Sequence, residues 1–134
     1  MDGDNLVYGN PNFVEVIGSR RLSTELGDLI DDVNRKQAAP LSFSDVFDKN
    51  GESHQMYCRS DHYSYARYGI PITFFFTSVH RDYHQPTDEP QYIDYNHYSR
   101  IVNLVRDIAD RVANLDHRPV VDKPKPDPHG SCVQ

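Results

Sequence analysis

The stretch Ile70-Pro71-Ile72-Thr73-Phe74-Phe75-Phe76-Thr77 runs straight into Ser78-Val79-His80-Arg81-Asp82-Tyr83-His84-Gln85-Pro86-Thr87-Asp88. A continuous apolar run of this kind predicts a central strand covered on both faces. The loop behind it has no strong period. At the carboxyl edge of an open α/β sheet such a loop is free to present side chains while the strand fixes the backbone. Here the loop carries His84, preceded by Tyr83 and followed four residues later by Asp88. A histidine in a polar loop is most often simply solvated, so a ligand or proton-transfer role has to come from its company.

Working outward, Asp94 caps a long helix in which Ile101, Val105, Ile108, Val112 and Leu115 repeat at four, three, four and three, one stripe facing the sheet. Arg100, Arg106, Asp107, Asp110 and Arg111 fall on its wet side. Upstream, Ser60 or Asp61 caps a short helix through Arg67, which Gly69 ends in the left-handed position. Leu6–Tyr8, Phe13–Ile17 and Leu41–Phe47 read as short strands, with Gly9-Asn10-Pro11-Asn12 as turn chemistry between the first two. Ser23 caps a helix to about Gln37, apolar at Leu26, Leu29, Ile30 and Val33, and Pro40 stops it. From Arg118 onward Pro119, Pro124, Pro126 and Pro128 forbid regular structure, leaving an extended tail that packs as a strap or hangs free.

Three ordered motifs, RSDHYSYARYGIP at 59–71, FFFTSVHRDYHQPTD at 74–88 and IDY at 93–95, resemble the carboxyl-terminal half of the di-zinc aminopeptidases. That family includes leucyl-type aminopeptidases and glutamate carboxypeptidases, with glutaminyl cyclases as relatives. The resemblance runs from about Leu6 to about Asp122. It implies an α/β fold, part of a mixed and mostly parallel sheet with flanking helices, truncated. Residues 1–117 would form the second half of a zinc-peptidase-like catalytic domain and 118–134 a Pro-rich tail.

The resemblance also assigns roles. His84 becomes a zinc ligand and Tyr83 a holder of the tetrahedral oxyanion. Arg59, Ser60, Asp61 and His62 line the pocket or support it. Spacing alone, not the resemblance, puts Asp88 where it would orient His84 through a hydrogen bond, as metal-bound imidazoles require. His80, four residues before His84, has ligand spacing but no ligand counterpart in the motif.

The family holds two zinc ions, yet its histidine-x-aspartate pair and adjacent glutamates have no counterpart in this chain, and Asp2 and Asp4 lack the surrounding pattern. A catalytic zinc takes three protein ligands and a water, and a two-metal site takes more. The expectation is therefore part of an exopeptidase acting on amino-terminal residues of peptides, inactive without its missing half. A metal-free binding or receptor module of the same fold, and a glutaminyl-cyclase-like enzyme, are the alternatives. The resemblance further implies a secreted or periplasmic parent protein.

Composition narrows the partners. Fourteen basic residues are scattered among 20 acidic ones for a formal charge of -6, which argues against a phosphate backbone as ligand. No apolar run approaches the roughly 20 residues of a membrane span, and Met1-Asp2-Gly3-Asp4 has neither the basic nor the apolar region of a signal peptide. A hydrophobic share of 37% is low for a self-sufficient globule. Half a sheet bares a strand edge and an apolar face, which predicts a homodimer or larger species. Six of the nine tyrosines fall between Tyr57 and Tyr92, either as half-buried surface or as an aromatic subsite. Cys58 and Cys132 permit one disulfide, but the sequence gives it no geometric support and free thiols are expected.

Overall fold

A computed structural model describes residues 11–134. The strand expected at Leu6–Tyr8 lies outside the described residues, as do Asp2 and Asp4. The chain forms a small α/β unit. Strand β1 is Phe13–Ile17, helix α1 Thr24–Arg35, strand β2 Ser42–Ser44, the one-turn helix α2 Tyr63–Ala66, strand β3 Phe74–Phe76 and helix α3 Tyr95–Ala113. The sheet order is β2-β1-β3, with β1 parallel to β2 and antiparallel to β3. A mixed sheet with helices is what the sequence predicts.

The central strand is not the predicted one. β1 occupies the middle and all five of its residues are buried, whereas β3 is an outer strand of three half-buried phenylalanines. A continuous apolar run reports that both faces of a strand are covered. It carries no information on whether both hydrogen-bonding edges are used, because those edges are backbone. Leu41–Phe47 is likewise cut short: β2 keeps three residues, and Val46–Asp48 tightens into a 3-10 turn that buries Phe47.

Side chains alternate across β1, so each face collects its own core. Val14 and Val16 meet Leu26, Ile30 and Val33 of α1 and Leu104 and Ile108 of α3, with Phe43 and Phe75 packed alongside. Ser23 caps α1 by accepting from the Leu26 amide at 3.1 Å, and Asp94 caps α3 by accepting from Asn96 and His97, both as expected. The stripe on α3 is rotated from the predicted one. Leu104 is fully buried, while Val105 is 38% exposed and joins Tyr95, Tyr98 and Val102 on an uncovered flank. Arg100 is not a wet-side residue either. It donates to the carbonyls of Pro11 and Ala39 and ties α3 to the start of β1.

The opposite face has no long helix to cover it. Ile17 is buried there with Leu22, Phe47, Met56, Tyr57 and Ala66, and Phe74, Phe76, Ile72 and Val121 close the cluster. After β1 the chain turns at Gly18, whose φ of +81° and a would-be Cβ only 2.4 Å from Ile72 Cδ1 leave room for glycine alone. α2 starts after His62, without the side-chain cap expected from Ser60 or Asp61, and Gly69 follows at φ +78° as predicted.

The tail is a strap, not a free end. Asp122 accepts from the Thr24 amide at 2.9 Å, Val120 donates to Glu25 at 2.8 Å, and the chain then crosses to the 47–58 region. There Cys132 is bonded to Cys58 with Cα atoms 5.8 Å apart, which corrects the expectation of free thiols. The returning path of the tail creates that proximity, and nothing in a proline-rich pattern foretells it. With a sequence separation of 74, the bond restrains the unfolded chain by about 4 kcal/mol.

One polar group lies inside the sheet. Glu15 on β1 is fully buried; Ser44 donates to its Oε1 at 2.8 Å and Oε2 has no hydrogen-bond partner. Burial pushes its carboxyl above the usual carboxylate range, offset in part by the Ser44 bond. A carboxyl whose folded pKa is raised stabilises the fold in its protonated form, and that contribution is lost as pH rises through the folded pKa. Glu15→Gln is therefore expected to flatten the fall in unfolding free energy as pH rises above the ordinary carboxylate range, measured by urea denaturation across a pH series. Equal slopes for the two proteins would refute the assignment.

Candidate active site

Two left-handed residues shape the loop after β3. Ser78 has φ +76° and His84 φ +59°, and neither is glycine. Each such residue costs on the order of 1 kcal/mol, and outliers of this kind cluster where a side chain has to be aimed. The backbone turn leaves His84 exposed, its imidazole stacked on the half-buried Tyr83 ring with centroids 4.0 Å apart and planes 16° apart.

Tyr83 in turn meets Phe76 edge-on at 6.0 Å, Phe76 stacks on Phe74 at 5.8 Å, and Phe74 stacks on His62 at 4.8 Å. An unbroken column of rings thus runs from His62 to His84. It explains how two motifs 22 positions apart reach one side of the sheet: Phe74 and Phe76 point to the same face of β3, and each motif docks on one of them. Several of the tyrosines and phenylalanines are therefore the floor of this region. That column was not foreseen from the sequence, although the i, i+2 spacing of Phe74 and Phe76 signals it.

The other expected pocket residues behave differently from one another. His62 donates from Nε2 to the Tyr57 carbonyl at 2.8 Å, and burial holds its imidazole below the usual range. Arg59 is exposed and donates to the His54 carbonyl at 3.3 Å. Ser60 and Asp61 are exposed too, their carbonyls accepting from Tyr63 and Ser64 in the turn that opens α2. Asp88 does not turn to His84. Its Oδ2 lies 3.8 Å from His80 Nε2, so the carboxylate faces the histidine that the motif leaves unassigned. A Thr87 bond to Asp82 at 2.6 Å further tightens this loop.

The metal question turns on the donor set. Among the described residues no group of three or more His, Cys, Asp or Glu side chains is gathered as a metal site. His84 stands with an aromatic neighbour and no carboxylate, so these residues do not by themselves fit a zinc ion, which takes three protein ligands and a water.

The family model of Peptidase family M28 matches residues 2–109, and the chain belongs to that family of peptide-bond hydrolases. No curated protein and no solved structure matches the chain.

His62 holds the far end of the ring column as a neutral imidazole. Because its folded pKa is depressed, its contribution is present at pH above the ordinary imidazole range and is lost as pH falls. His62→Ala, which removes the stack and the bond to Tyr57, is expected to lower stability by about 1–2 kcal/mol at pH 8. The deficit should shrink at pH 5, read by thermal melting at both pH values. A deficit that grows toward low pH would contradict a buried neutral ring.

Proposed function

We propose that this chain is the second half of the catalytic domain of a zinc-dependent exopeptidase, acting on the amino-terminal residue of peptides. The supporting observation is the Tyr83–His84 pair, set by a left-handed turn at the head of the ring column and inside the region that matches the family. In this reading His84 is one zinc ligand, and the remaining ligands with the general base come from outside the described residues. The Tyr83 hydroxyl donates to the oxyanion that develops on the scissile carbonyl. Arg59, Ser60, Asp61 and His62 form the pocket wall across the column, and Asp88 steadies the loop through His80. An oxidising compartment, secreted or periplasmic, suits the Cys58–Cys132 bond.

The chain by itself then binds zinc weakly and turns over no aminoacyl-anilide. In the complete gene product, His84→Ala is expected to reduce zinc content, measured by elemental analysis, and to cut kcat/KM by more than about a hundredfold. Tyr83→Phe is expected to lower kcat by about a hundredfold while zinc content stays unchanged. Full zinc content and full turnover in His84→Ala would overturn the assignment. A complete product that neither binds zinc nor hydrolyses the anilide would instead favour a metal-free binding module, and one that cyclises amino-terminal glutamine would favour the cyclase alternative.

Self-association is the second consequence. Tyr95, Tyr98, Val102 and Val105 are 60%, 59%, 46% and 38% exposed along one flank of α3, and β3 has one strand neighbour in the described sheet. Exposed apolar surface, and a strand edge with no partner among the described residues, each invite pairing with a second copy. Light scattering at micromolar concentration is expected to give a dimer or larger species, and Val102→Lys with Val105→Lys to return a monomer. A stable monomer for the unaltered chain would exclude this association.

A further inference from the structure

Gln134 is buried, and its side chain is used at both ends. Oε1 accepts from the Tyr57 amide at 2.9 Å, and Nε2 donates to the Phe47 carbonyl at 2.5 Å. Its main-chain oxygen accepts from the Gly51 amide at 2.7 Å. Two positions back, Cys132 is bonded to Cys58, the residue next to Arg59. The strap therefore ends on the two segments that flank the ring column, around Phe47 and around Tyr57. Tyr57 holds His62 through its carbonyl, and Phe47 packs edge-on against Phe76 at 5.6 Å, one ring away from Tyr83. Farther along, Lys125 lies over Gly69, where a Cβ would come within 2.6 Å of Lys125 Cδ, so the strap is fitted to the end of α2 as well.

We propose that the carboxyl-terminal strap is a positioning element for the candidate site, with Gln134 as its positioning residue and the Cys58–Cys132 bond as its clasp. Through Tyr57 it sets the place of His62, and through Phe47 and Phe76 it sets the place of the Tyr83–His84 pair. Neither Gln134 nor the disulfide touches His84; both act through the rings between. The inference rests on the reading of these two motifs as one pocket, but it concerns geometry that exists without metal or peptide. A dithiol reductant opens the clasp by thiol–disulfide exchange: the Cys58–Cys132 bond becomes two thiols while the reductant closes to its cyclic disulfide.

The test reads the imidazole NMR resonances of the metal-free chain at one fixed pH, before and after dithiothreitol, and in Gln134→Ala with the disulfide intact. His97 is the internal control, since its Nε2 is bonded to the Phe13 carbonyl at 2.6 Å on the other face of the sheet. The expected result is that the His62 and His84 resonances shift and broaden in both cases while His97 stays in place. Tryptic cleavage after the exposed Arg59 should also accelerate by about tenfold or more, as the segment opens locally. The proposal is overturned if His62 and His84 do not move. It is equally overturned if all three histidines move together, which would make the strap a general stabiliser. Zinc binding and peptidase activity enter neither outcome, so a failure here and a failure of the peptidase reading are told apart.

Discussion

β1 is enclosed on every side, and that enclosure shapes the molecule. Its two edges are taken by β2 and β3, and both faces are buried. A strand so placed has to have apolar cover above and below, whatever the chain has available to supply it. On one face the cover is ordinary, two amphipathic helices with their apolar sides together. On the other, α2 is only four residues long, and a single helical turn cannot roof a sheet. The roof is assembled instead from the 3-10 turns at Val46–Asp48 and Met56–Cys58, the aromatic rings over β3 and the returning strap. Irregular chain has no repeating hydrogen-bond ladder to hold it. The cross-links there, the disulfide, the Gln134 amide and the Arg21 guanidinium 4.6 Å over the Tyr57 ring, do the work a ladder does in a helix.

This division also explains what could be read in advance. The regular face was legible because caps and periodicity are local. Ser23 and Asp94 cap the helices they were expected to cap, and the apolar positions of α1 are those in the core. The error on α3 was one of rotation. A four-three repeat passes through Val105 as well as through its neighbour, and only the packing partner decides which faces inward; the larger Leu104 fills that place. The irregular face was almost illegible. Glu15 shares a strand face with Phe13 and Ile17, and nothing in the sequence tells that the 46–48 turn folds over it. The pairing of Cys58 with Cys132 depends on where a proline-rich tail goes, a tertiary fact with no local signature.

At the candidate site the same contrast holds. The ordered motifs single out Tyr83 and His84, and the structure sets them in a turn of unusual backbone at the end of β3. Their support came from elsewhere than expected. Asp88 faces His80, and the orientation of His84 rests on a stacked ring and a left-handed backbone instead of a carboxylate. Ring stacking fixes the tilt of an imidazole plane but leaves both nitrogens free of partners among the described residues, whereas a carboxylate bond would commit one of them. An unengaged imidazole suits a side chain whose partner is supplied from outside the described residues.

The direction from which that partner arrives is constrained by the sheet. β1 is closed to further pairing, and growth of the sheet is left to its outer strands. Of these, β3 is the one whose carboxyl end runs into the loop bearing His84. On the peptidase reading, a strand added beside β3 would be brought alongside that loop by backbone hydrogen bonds alone, before any ligand contact is made. The uncharged flank of α3, with Tyr95, Tyr98, Val102 and Val105, would supply apolar surface for the element that accompanies it. Completion of the site and burial of the exposed surface are then a single event. On that reading the two features that look like separate deficiencies among the described residues, a histidine without fellow ligands and a helix flank without cover, would have one physical remedy.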